Sequence, residues 1–427
     1  MDCFQITGGV PLTGVVTASG SKNAGLPLMA ASLLCSGQTR LLRTPRLRDT
    51  ETMAQVLVSL GLECSWNGGT MEIQGGGGGG PIEASYQLVR RMRASVCVLG
   101  PLLAARGQAI VALPGGCVFG QRPIDLHLRA MEAFGAEIEV VHGAVYAKSP
   151  PSGLHPAEVD LLGPQGTTVL GTANAMMAAA GIDGRSILRN VACEPELLAL
   201  AKFLVAAGAS IEGLGGTDLE VIGTTTLKGV DYEVPSDRIE AGTLLLAGAI
   251  TRGEVRVEDC QPSDNLALLE SLTDCGVEVE QGPDWVGLRA VGDLRAKSVR
   301  TAPYPAFPTD LQAQWMAFAL TCEGRCQVVD TVYPERFMHV DELNRLGAGI
   351  RRQGAEAFLS GPILLSGAPV LASDLRASAA LVLAGMAASG NTTVRRVYHL
   401  DRGYEKLEVK LQQLGARVKR CVDEQSP

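Results

Sequence analysis

A pattern that recurs six times constrains the fold of this chain more than any other feature of its sequence. In each copy an apolar run with helical spacing ends at a glycine, and the residues after that glycine alternate between apolar and polar. This pattern predicts a helix closed by a left-handed glycine and followed by a strand with one buried face. The glycines recur about every 71 residues and are Gly61, Gly135, Gly208, Gly276, Gly347 and Gly415.

A second series of glycines runs in phase with the first and marks a second helix in each repeat. These helices are rich in Ala, Leu and Met, and residues 377–388 are apolar nearly all round, which predicts burial within a domain. The other helix of each repeat is amphipathic and is expected outside. We therefore expect an α/β protein of two domains with three repeats each; a solenoid is the alternative that the repeat alone leaves open. The second series is Gly37, Gly107, Gly184, Gly253, Gly324 and Gly390.

Composition narrows the functional classes. The 427 residues are 46% hydrophobic and carry a net charge of −8, which argues against a surface that tracks nucleic acid or anionic membrane. The N-terminus lacks the basic and apolar regions of a signal peptide, and apolar stretches such as 26–35 are too short to span a membrane. Eleven scattered cysteines predict free thiols in a reducing cytoplasm, with a disulfide or a zinc site near Cys322 and Cys326 as alternatives.

Cations stand where the buried helices are expected to begin. Lys22, Arg93, Arg238 and Arg376 occupy such positions, although a cation at a helix N-terminus opposes the helix dipole. Helix N-termini combined with Lys and Arg bind anions strongly. We therefore expect a multiply anionic ligand in a cleft between the two domains. Ser236 and Ser373 are expected to be N-caps rather than ligand contacts.

One loop differs from the tight turns elsewhere, because it carries a thiol between glycines. Cys117 follows Gly115 and Gly116 and precedes Gly120. Arg122 lies five residues after Cys117. A cysteine on a flexible loop near cations is expected to have a lowered pKa and to be reactive. A buried, inert Cys117 is the alternative.

These segments together resemble the family of UDP-N-acetylglucosamine 1-carboxyvinyltransferases, from Met1 to about Val418. The resemblance implies a fold of two inside-out α/β barrel domains. It places one domain at 21–233, a discontinuous domain at 1–20 plus 234–427, and the active site in the cleft between them. The motifs that carry it are Ser21-Lys22-Asn23, Met92-Arg93-Ala94-Ser95, the run 113–127, the run 305–314, Arg336-Phe337-Met338-His339-Val340, Asp374-Leu375-Arg376-Ala377-Ser378 and Asp401-Arg402-Gly403-Tyr404-Glu405.

The family's activity is the transfer of the enolpyruvyl group of phosphoenolpyruvate to the 3-hydroxyl of UDP-N-acetylglucosamine, which releases phosphate. This is the first committed step of peptidoglycan synthesis, and the family is inhibited by fosfomycin. The resemblance thus implies a cytoplasmic enzyme of cell-wall synthesis with two small-molecule substrates. It implies no metal, no organic cofactor, no nucleic acid and no membrane partner.

The resemblance also implies roles for individual residues. Cys117 is expected to be the general acid of a lid loop, and Asp310 is expected to take the proton of the sugar hydroxyl. Lys22, Arg122 and Arg402 are expected to contact phosphoenolpyruvate, and Asn23 and Val332 to contact the sugar. Arg336 and Arg376 are expected to be further cleft cations that order a closed state. The expected uridine and diphosphate contacts are Arg93, Arg122, Pro123, Ile124, Asp125, Leu126 and His127.

Two segments depart from the family pattern. Leu162-Gly163-Pro164-Gln165-Gly166 stands where the family carries a Lys and a Ser donor, so backbone amides near Gly166 are expected to help bind the diphosphate. Tyr304 replaces an expected His. Three alternatives therefore stay open: an enolpyruvyl transferase that acts on a nucleotide such as UMP in secondary metabolism, a 3-phosphoshikimate enolpyruvyl transferase, and a catalytically silent UDP-sugar-binding scaffold.

Overall fold

A computed structural model describes residues 2–113, 124–164 and 166–422 of the chain. These residues divide into two compact units. The continuous unit runs from Gly20 to Pro235, and the split unit combines the residues up to Ser19 with those from Ser236 onward.

The helices of the described residues include long apolar ones and shorter amphipathic ones. Five short 3₁₀ helices occur as well, at Ser32–Leu34, Arg93–Val98, Pro262–Asn265, Thr309–Leu311 and Val397–Arg402. The α-helices are α1 Lys22–Ala31, α2 Arg48–Ser59, α3 Tyr86–Val89, α4 Leu99–Arg106, α5 Asp125–Ala133, α6 Val169–Ala180, α7 Pro195–Ala207, α8 Arg238–Ile250, α9 Leu266–Asp274, α10 Gln312–Ala319, α11 His339–Arg345, α12 Leu375–Ala387 and α13 Leu407–Gln413.

The strands of the described residues are short and evenly distributed along both units. They are β1 Asp2–Thr7, β2 Thr13–Thr17, β3 Gln38–Leu42, β4 Glu63–Asn67, β5 Thr70–Gln74, β6 Glu83–Ala84, β7 Gln108–Ala112, β8 Glu137–Val141, β9 Ala144–Lys148, β10 Glu158–Asp160, β11 Gly184–Arg189, β12 Ser210–Glu212, β13 Leu219–Gly223, β14 Asp231–Glu233, β15 Glu254–Glu258, β16 Glu278–Gln281, β17 Trp285–Arg289, β18 Val299–Thr301, β19 Gly324–Asp330, β20 Arg351–Gln353, β21 Glu356–Gly361, β22 Pro369–Leu371, β23 Asn391–Arg395 and β24 Arg417–Val422.

The sixfold repeat predicted from the glycines is confirmed by six four-stranded sheets in the described residues, three in each unit. Every sheet has the same construction, with one parallel outer pair and two antiparallel pairs. In the continuous unit the orders are β14-β3-β5-β4, β6-β7-β9-β8 and β10-β11-β13-β12. In the split unit they are β2-β15-β17-β16, β18-β19-β21-β20 and β22-β23-β1-β24.

The glycine that ends each amphipathic helix has the predicted left-handed conformation. Its φ lies between 85° and 124° in all six copies. In each copy the next residue donates its N–H to the carbonyl five residues earlier, as Leu62 does to Leu57 and Val277 to Leu272. This is the Schellman arrangement, and it turns the chain directly from the helix into the next strand.

The apolar helices form the centre of each unit, as their composition predicts. In the split unit α8, α10 and α12 pack against one another, and every residue of α8 from Ile239 to Ile250 is buried. In the continuous unit α1, α6 and the 3₁₀ helix that leads into α4 form the corresponding centre. The sheets cover these helices, so each unit has its own hydrophobic core.

The N-caps of two central helices differ from the prediction. Asp237 accepts hydrogen bonds from the N–H groups of Ile239 and Glu240, and Asp374 does the same for Arg376 and Ala377. The expectation that Ser236 and Ser373 are the caps is therefore wrong by one residue. A carboxylate at this position also interacts favourably with the positive end of the helix dipole.

Gly223 shows how closely a sheet approaches the central helices, and it provides a test of the fold. A Cβ at this position would lie 2.0 Å from the carbonyl oxygen of Ala179 and 2.3 Å from that of Ile182. Because both are backbone atoms, they cannot move aside cheaply. We expect Gly223→Ala to destabilise the protein by about 2–3 kcal/mol in urea unfolding.

Gly69→Ala is the matched control, because a Cβ at Gly69 would meet no heavy atom within 4 Å. It should leave the unfolding midpoint unchanged. Equal stability of the two variants would contradict the close packing of β13 on the end of α6.

Candidate active site

In the split unit, a carboxylate lies between two guanidinium groups. Asp310 is in the 3₁₀ turn that leads into α10, and its two oxygens accept from Arg336 at 2.7 Å and from Arg376 at 2.8 Å. Arg376 is 3% exposed and Arg336 is 8% exposed. The structure thus brings together three of the residues predicted for the site.

The electrostatics of this triplet keep Asp310 ionised. Burial by itself raises the pKa of Asp310, but the charges and hydrogen bonds of Arg376 and Arg336 outweigh it and hold the pKa well below its usual value of 3.8. The pKa of Arg376 is raised, since Asp310 outweighs the effect of burial. Both guanidiniums therefore stay charged in an environment that excludes most water.

A second carboxylate, which sequence reasoning missed, positions the loops around Asp310. Asp330 is completely buried and accepts from the hydroxyls of Thr301 and Thr309 at 2.8 and 2.7 Å. It also accepts from the backbone N–H of Val332 at 3.0 Å. It therefore ties the predicted sugar contact Val332 to the turn that carries Asp310.

Tyr404 connects the guanidinium of Arg376 to the interior of the central helices. Its buried hydroxyl lies 3.1 Å from Arg376, 3.1 Å from the side-chain amide of Gln314 and 2.9 Å from the hydroxyl of Thr243. The sequence signal that could have found this network is a polar residue inside a largely apolar helix, as Thr243 is in α8 and Gln314 is in α10. Arg402, two residues before Tyr404, is half-buried at the end of its 3₁₀ helix.

The charges at the starts of the central helices have partners inside their own units. Lys22 is the first residue of α1, and its ammonium lies 3.3 Å from the carboxylate of Asp49. Both side chains are nearly buried, and Asn23 beside them is half-buried. The guanidinium carbon of Arg238 lies 5.5 Å from the ring centroid of Tyr304, which stands where the family pattern has a His. These contacts offset part of the unfavourable interaction of the cations with the helix dipoles.

The predicted nucleotide-binding segment of the continuous unit is described only from Ile124 onward. Ile124, Leu126 and His127 are buried, whereas Asp125 is exposed in the first turn of α5. Burial, together with the charge of Arg93, lowers the pKa of His127 to about 3. Cys117, Arg122 and Pro123 lie outside the described residues.

The segment that departs from the family pattern contains a tight backbone bridge. The N–H of Gly166 donates to the carbonyl of Gly163 at 3.0 Å, and the N–H of Gly163 donates back to Gly166. The amide that was predicted to contact the diphosphate is thus engaged within the chain. The side chain of Thr168 caps α6 two residues later.

The described ranges contain neither a cluster of metal-ligating side chains nor a membrane-spanning helix. No group of three or more His, Cys, Asp or Glu side chains in residues 2–113, 124–164 and 166–422 could hold a metal ion. None of the helices in those ranges is both long and apolar enough to cross a membrane.

Comparison with known proteins defines the class first. A sequence profile of the family described as EPSP synthase (3-phosphoshikimate 1-carboxyvinyltransferase) matches residues 6–411. The enolpyruvyl transferase NikO from Streptomyces tendae superposes with a TM-score of 0.87 at 24% identity, covering 98% of both chains. EPSP synthase from Acinetobacter baumannii gives a TM-score of 0.74 at 17% identity and covers 99% of this chain and 100% of its own. The fold is that of the enolpyruvyl transferases.

Relatives in sequence define the group more narrowly. The UDP-N-acetylglucosamine 1-carboxyvinyltransferase of Methylacidiphilum infernorum is 47% identical over 98% of this chain and 99% of its own length. The enzyme of the same name from an Anaeromyxobacter species is 50% identical over 98% and 99%. The chain therefore belongs to the family of UDP-N-acetylglucosamine 1-carboxyvinyltransferases, which confirms the resemblance found in the motifs.

The ion pairs of Asp310 predict a pH-dependent contribution to stability. Because its pKa is lower in the folded protein than in the unfolded chain, Asp310 stabilises the fold above the ordinary carboxyl pKa. This contribution disappears as the pH falls through the folded-state pKa. We expect Asp310→Asn to unfold about 3 kcal/mol more easily at neutral pH, since it leaves two buried guanidiniums without their carboxylate.

The difference in unfolding free energy between Asp310→Asn and the wild type should shrink as the pH is lowered below about 4. There, protonation of Asp310 weakens the ion pairs of the wild type as well. Urea unfolding of both proteins over this pH range measures it. Asp293→Asn, at an exposed carboxylate, serves as the control and should match the wild type. A deficit that stays constant down to the lowest pH would mean that the charge of Asp310 is not what stabilises the site.

Proposed function

We propose that this protein transfers the enolpyruvyl group of phosphoenolpyruvate to the 3-hydroxyl of UDP-N-acetylglucosamine, with release of phosphate. The observation that carries the proposal is the near-complete coverage of relatives of that name at 47–50% identity. The ionised Asp310 between two guanidiniums supports it from the geometry of the site. The product commits the sugar nucleotide to peptidoglycan synthesis.

Asp310 is proposed to take the proton of the attacking hydroxyl. Its low pKa keeps the carboxylate available at neutral pH but also makes it a weak base. A weak base removes a proton efficiently only when the hydroxyl is already becoming acidic. The proton should therefore leave as the sugar oxygen bonds to C2 of phosphoenolpyruvate, rather than before that step.

At the other end of the reaction, C3 of phosphoenolpyruvate must gain a proton. Cys117 is proposed to deliver it, which gives a tetrahedral intermediate that then loses phosphate and a C3 proton to restore the enol ether. Lys22, Arg122 and Arg402 are proposed to bind the phosphate and carboxylate. Lys22 suits this role because the ammonium stands at the N-terminus of α1, where the helix dipole also attracts anions.

The acceptor is proposed to bind through residues of both units. Asn23 and Val332 would contact the sugar, and Arg336 and Arg376 would supply further positive charge. The remaining proposed contacts are to the uridine and diphosphate, and they are Arg93, Arg122, Pro123, Ile124, Asp125, Leu126, His127 and Gly166. That these residues line one cleft stays a prediction from the sequence.

We further propose a cytoplasmic location, which would place the enzyme beside both of its soluble substrates. The ten cysteines within the described residues are all free thiols, as a reducing compartment favours.

The choice of acceptor tests the proposed function. We expect phosphate release from phosphoenolpyruvate with UDP-N-acetylglucosamine and little release with UMP or shikimate 3-phosphate. UMP lacks the sugar that Asn23 and Val332 are proposed to contact, so its kcat/KM should be lower by at least about a hundredfold. Initial rates measured with each acceptor provide the comparison.

Comparable kcat/KM for UMP would make a nucleotide the acceptor and overturn the proposal. Turnover of shikimate 3-phosphate would also overturn the proposal and would make that compound the acceptor. Tight binding of UDP-N-acetylglucosamine without any phosphate release would identify a silent binding protein.

Cys117 should be the one thiol that fosfomycin alkylates. Burial raises the pKa of seven other cysteines to about 11 or 12, and they are Cys35, Cys64, Cys97, Cys260, Cys275, Cys322 and Cys326. Since the thiolate is the reactive form, these residues should resist the drug. We expect time-dependent inactivation with a single label, accelerated by UDP-N-acetylglucosamine.

Two substitutions separate the acid role from the reactivity. Cys117→Ala should lose both activity and labelling, whereas Cys117→Asp should retain activity and resist the drug, because a carboxylic acid can still donate a proton. Cys97→Ala is the control and should be inactivated like the wild type. A label mapped to another cysteine, or full activity of Cys117→Ala, would remove Cys117 from the mechanism.

A further inference from the structure

Asn174 is a polar residue in the middle of a helix that otherwise consists of small and apolar residues. It lies in α6, is completely buried, and contacts two other segments of the continuous unit. Its side chain makes three hydrogen bonds, to Gly100, Val96 and His127. A buried amide with three partners has one fixed orientation.

Two backbone groups decide that orientation. The N–H of Gly100 donates to Oδ1 of Asn174 at 2.7 Å, and Nδ2 of Asn174 donates to the carbonyl of Val96 at 2.9 Å. Rotating the amide by 180° would place an N–H group against an N–H group and a carbonyl against a carbonyl. The backbone therefore determines which end of the side chain faces each neighbour.

The amide orientation in turn determines where His127 carries its proton. Nδ2 of Asn174 lies 2.8 Å from Nδ1 of His127, and an amide nitrogen can only donate. Nδ1 must therefore be an unprotonated acceptor, which excludes both the imidazolium and the Nδ1–H tautomer. We propose that Asn174 is a positioning residue that holds the His127 ring neutral, with its proton on Nε2.

The surroundings of the ring agree with this assignment. His127 is 3% exposed, and the nearby cation that acts on it is Arg93, which disfavours a second positive charge. Both effects lower the pKa of His127 to about 3, so the ring is neutral at any physiological pH. Asn174 thus makes His127 a donor of fixed direction at the N-terminal end of α5.

The functional consequence rests on the proposed function, because His127 is one of the proposed contacts to the uridine diphosphate. A neutral Nε2–H can donate to an oxygen of the nucleotide. A ring with its proton on Nδ1 would present a lone pair there and repel the same oxygen. Asn174 would therefore determine acceptor affinity without touching the acceptor.

The tautomer can be measured directly in the wild-type protein. Long-range ¹⁵N–¹H correlation spectra distinguish the two ring nitrogens, and the chain has only 5 histidines. His127→Gln identifies the signals of His127 by their loss. We expect a protonated Nε2 and an unprotonated Nδ1 at neutral pH. A proton on Nδ1, or a charged ring, would overturn the proposal whatever the protein catalyses.

Asn174→Asp tests whether the amide is the cause. The carboxylate keeps the size of Asn174 and can accept from Gly100, but it cannot donate to Nδ1. We expect the proton of His127 to move to Nδ1, or the ring to become charged. An unchanged Nε2–H tautomer in this variant would show that Asn174 does not set it. If the variant fails to fold, the wild-type spectrum still decides the tautomer.

Steady-state kinetics of Asn174→Asp test the link to the acceptor. We expect the KM for UDP-N-acetylglucosamine to rise about tenfold, the effect of one lost hydrogen bond, and the KM for phosphoenolpyruvate to change less than about twofold. Asn344→Asp is the control for the loss of an amide donor, since the exposed Asn344 also accepts from a backbone N–H and donates to a backbone carbonyl, both of Ile350. It should leave both KM values unchanged.

Equal rises in both KM values, or a rise in the control, would indicate general disruption and contradict a positioning role. A changed tautomer with an unchanged acceptor KM would separate His127 from acceptor binding. Absence of turnover in the wild type with the expected tautomer would refute the proposed function alone.

Discussion

Burial of the apolar helices at the centre of each unit is the constraint on which the rest of the structure depends. A helix such as α8, with every residue from Ile239 to Ile250 buried, exposes no polar side to water. Sheets with one buried face must therefore surround it, and three repeats supply three sheets in each unit. The ends of these helices are the places where polar groups can collect, and the candidate site residues Lys22, Asp310 and Arg376 all stand there.

Hydrogen bonds to neighbouring groups offset much of the cost of placing polar side chains in such a core, because an unpaired buried polar atom is destabilising. In the split unit the hydroxyls of Thr243 and Tyr404 and the side-chain amide nitrogen of Gln314 are hydrogen-bonded to one another, and Tyr404 also accepts from Arg376. In the continuous unit Asn174 bonds two backbone groups and His127. Both networks connect the core to a candidate site residue, so they orient that residue as well as stabilise the helices.

The sequence predicts features that depend on neighbouring residues, and it misses those that depend on distant ones. The six glycine turns and the apolar helices follow from local spacing, and the structure confirms them. The sequence pattern predicts Ser236 and Ser373 as N-caps, whereas the structure has Asp237 and Asp374. Adjacent Ser and Asp residues are both suited to N-capping, so local spacing does not decide between them. The partners of Asp310 lie 26 and 66 residues away, and Asn174 lies 47 residues from His127, so no local pattern identifies them.

The arrangement around Asp310 would couple the base strength of its carboxylate to the binding of an anion. The guanidiniums of Arg336 and Arg376 hold its pKa down only while their charge is directed at its carboxylate. An anion that shares either guanidinium weakens that attraction and raises the pKa of Asp310, because the interaction of the charges is mutual. Binding of a polyanionic substrate at these guanidiniums would therefore make Asp310 a stronger base, as its proposed role requires. In the structure the same carboxylate is the counter-ion of two buried guanidiniums and stabilises the fold. One group would thus serve both stability and the proposed proton transfer.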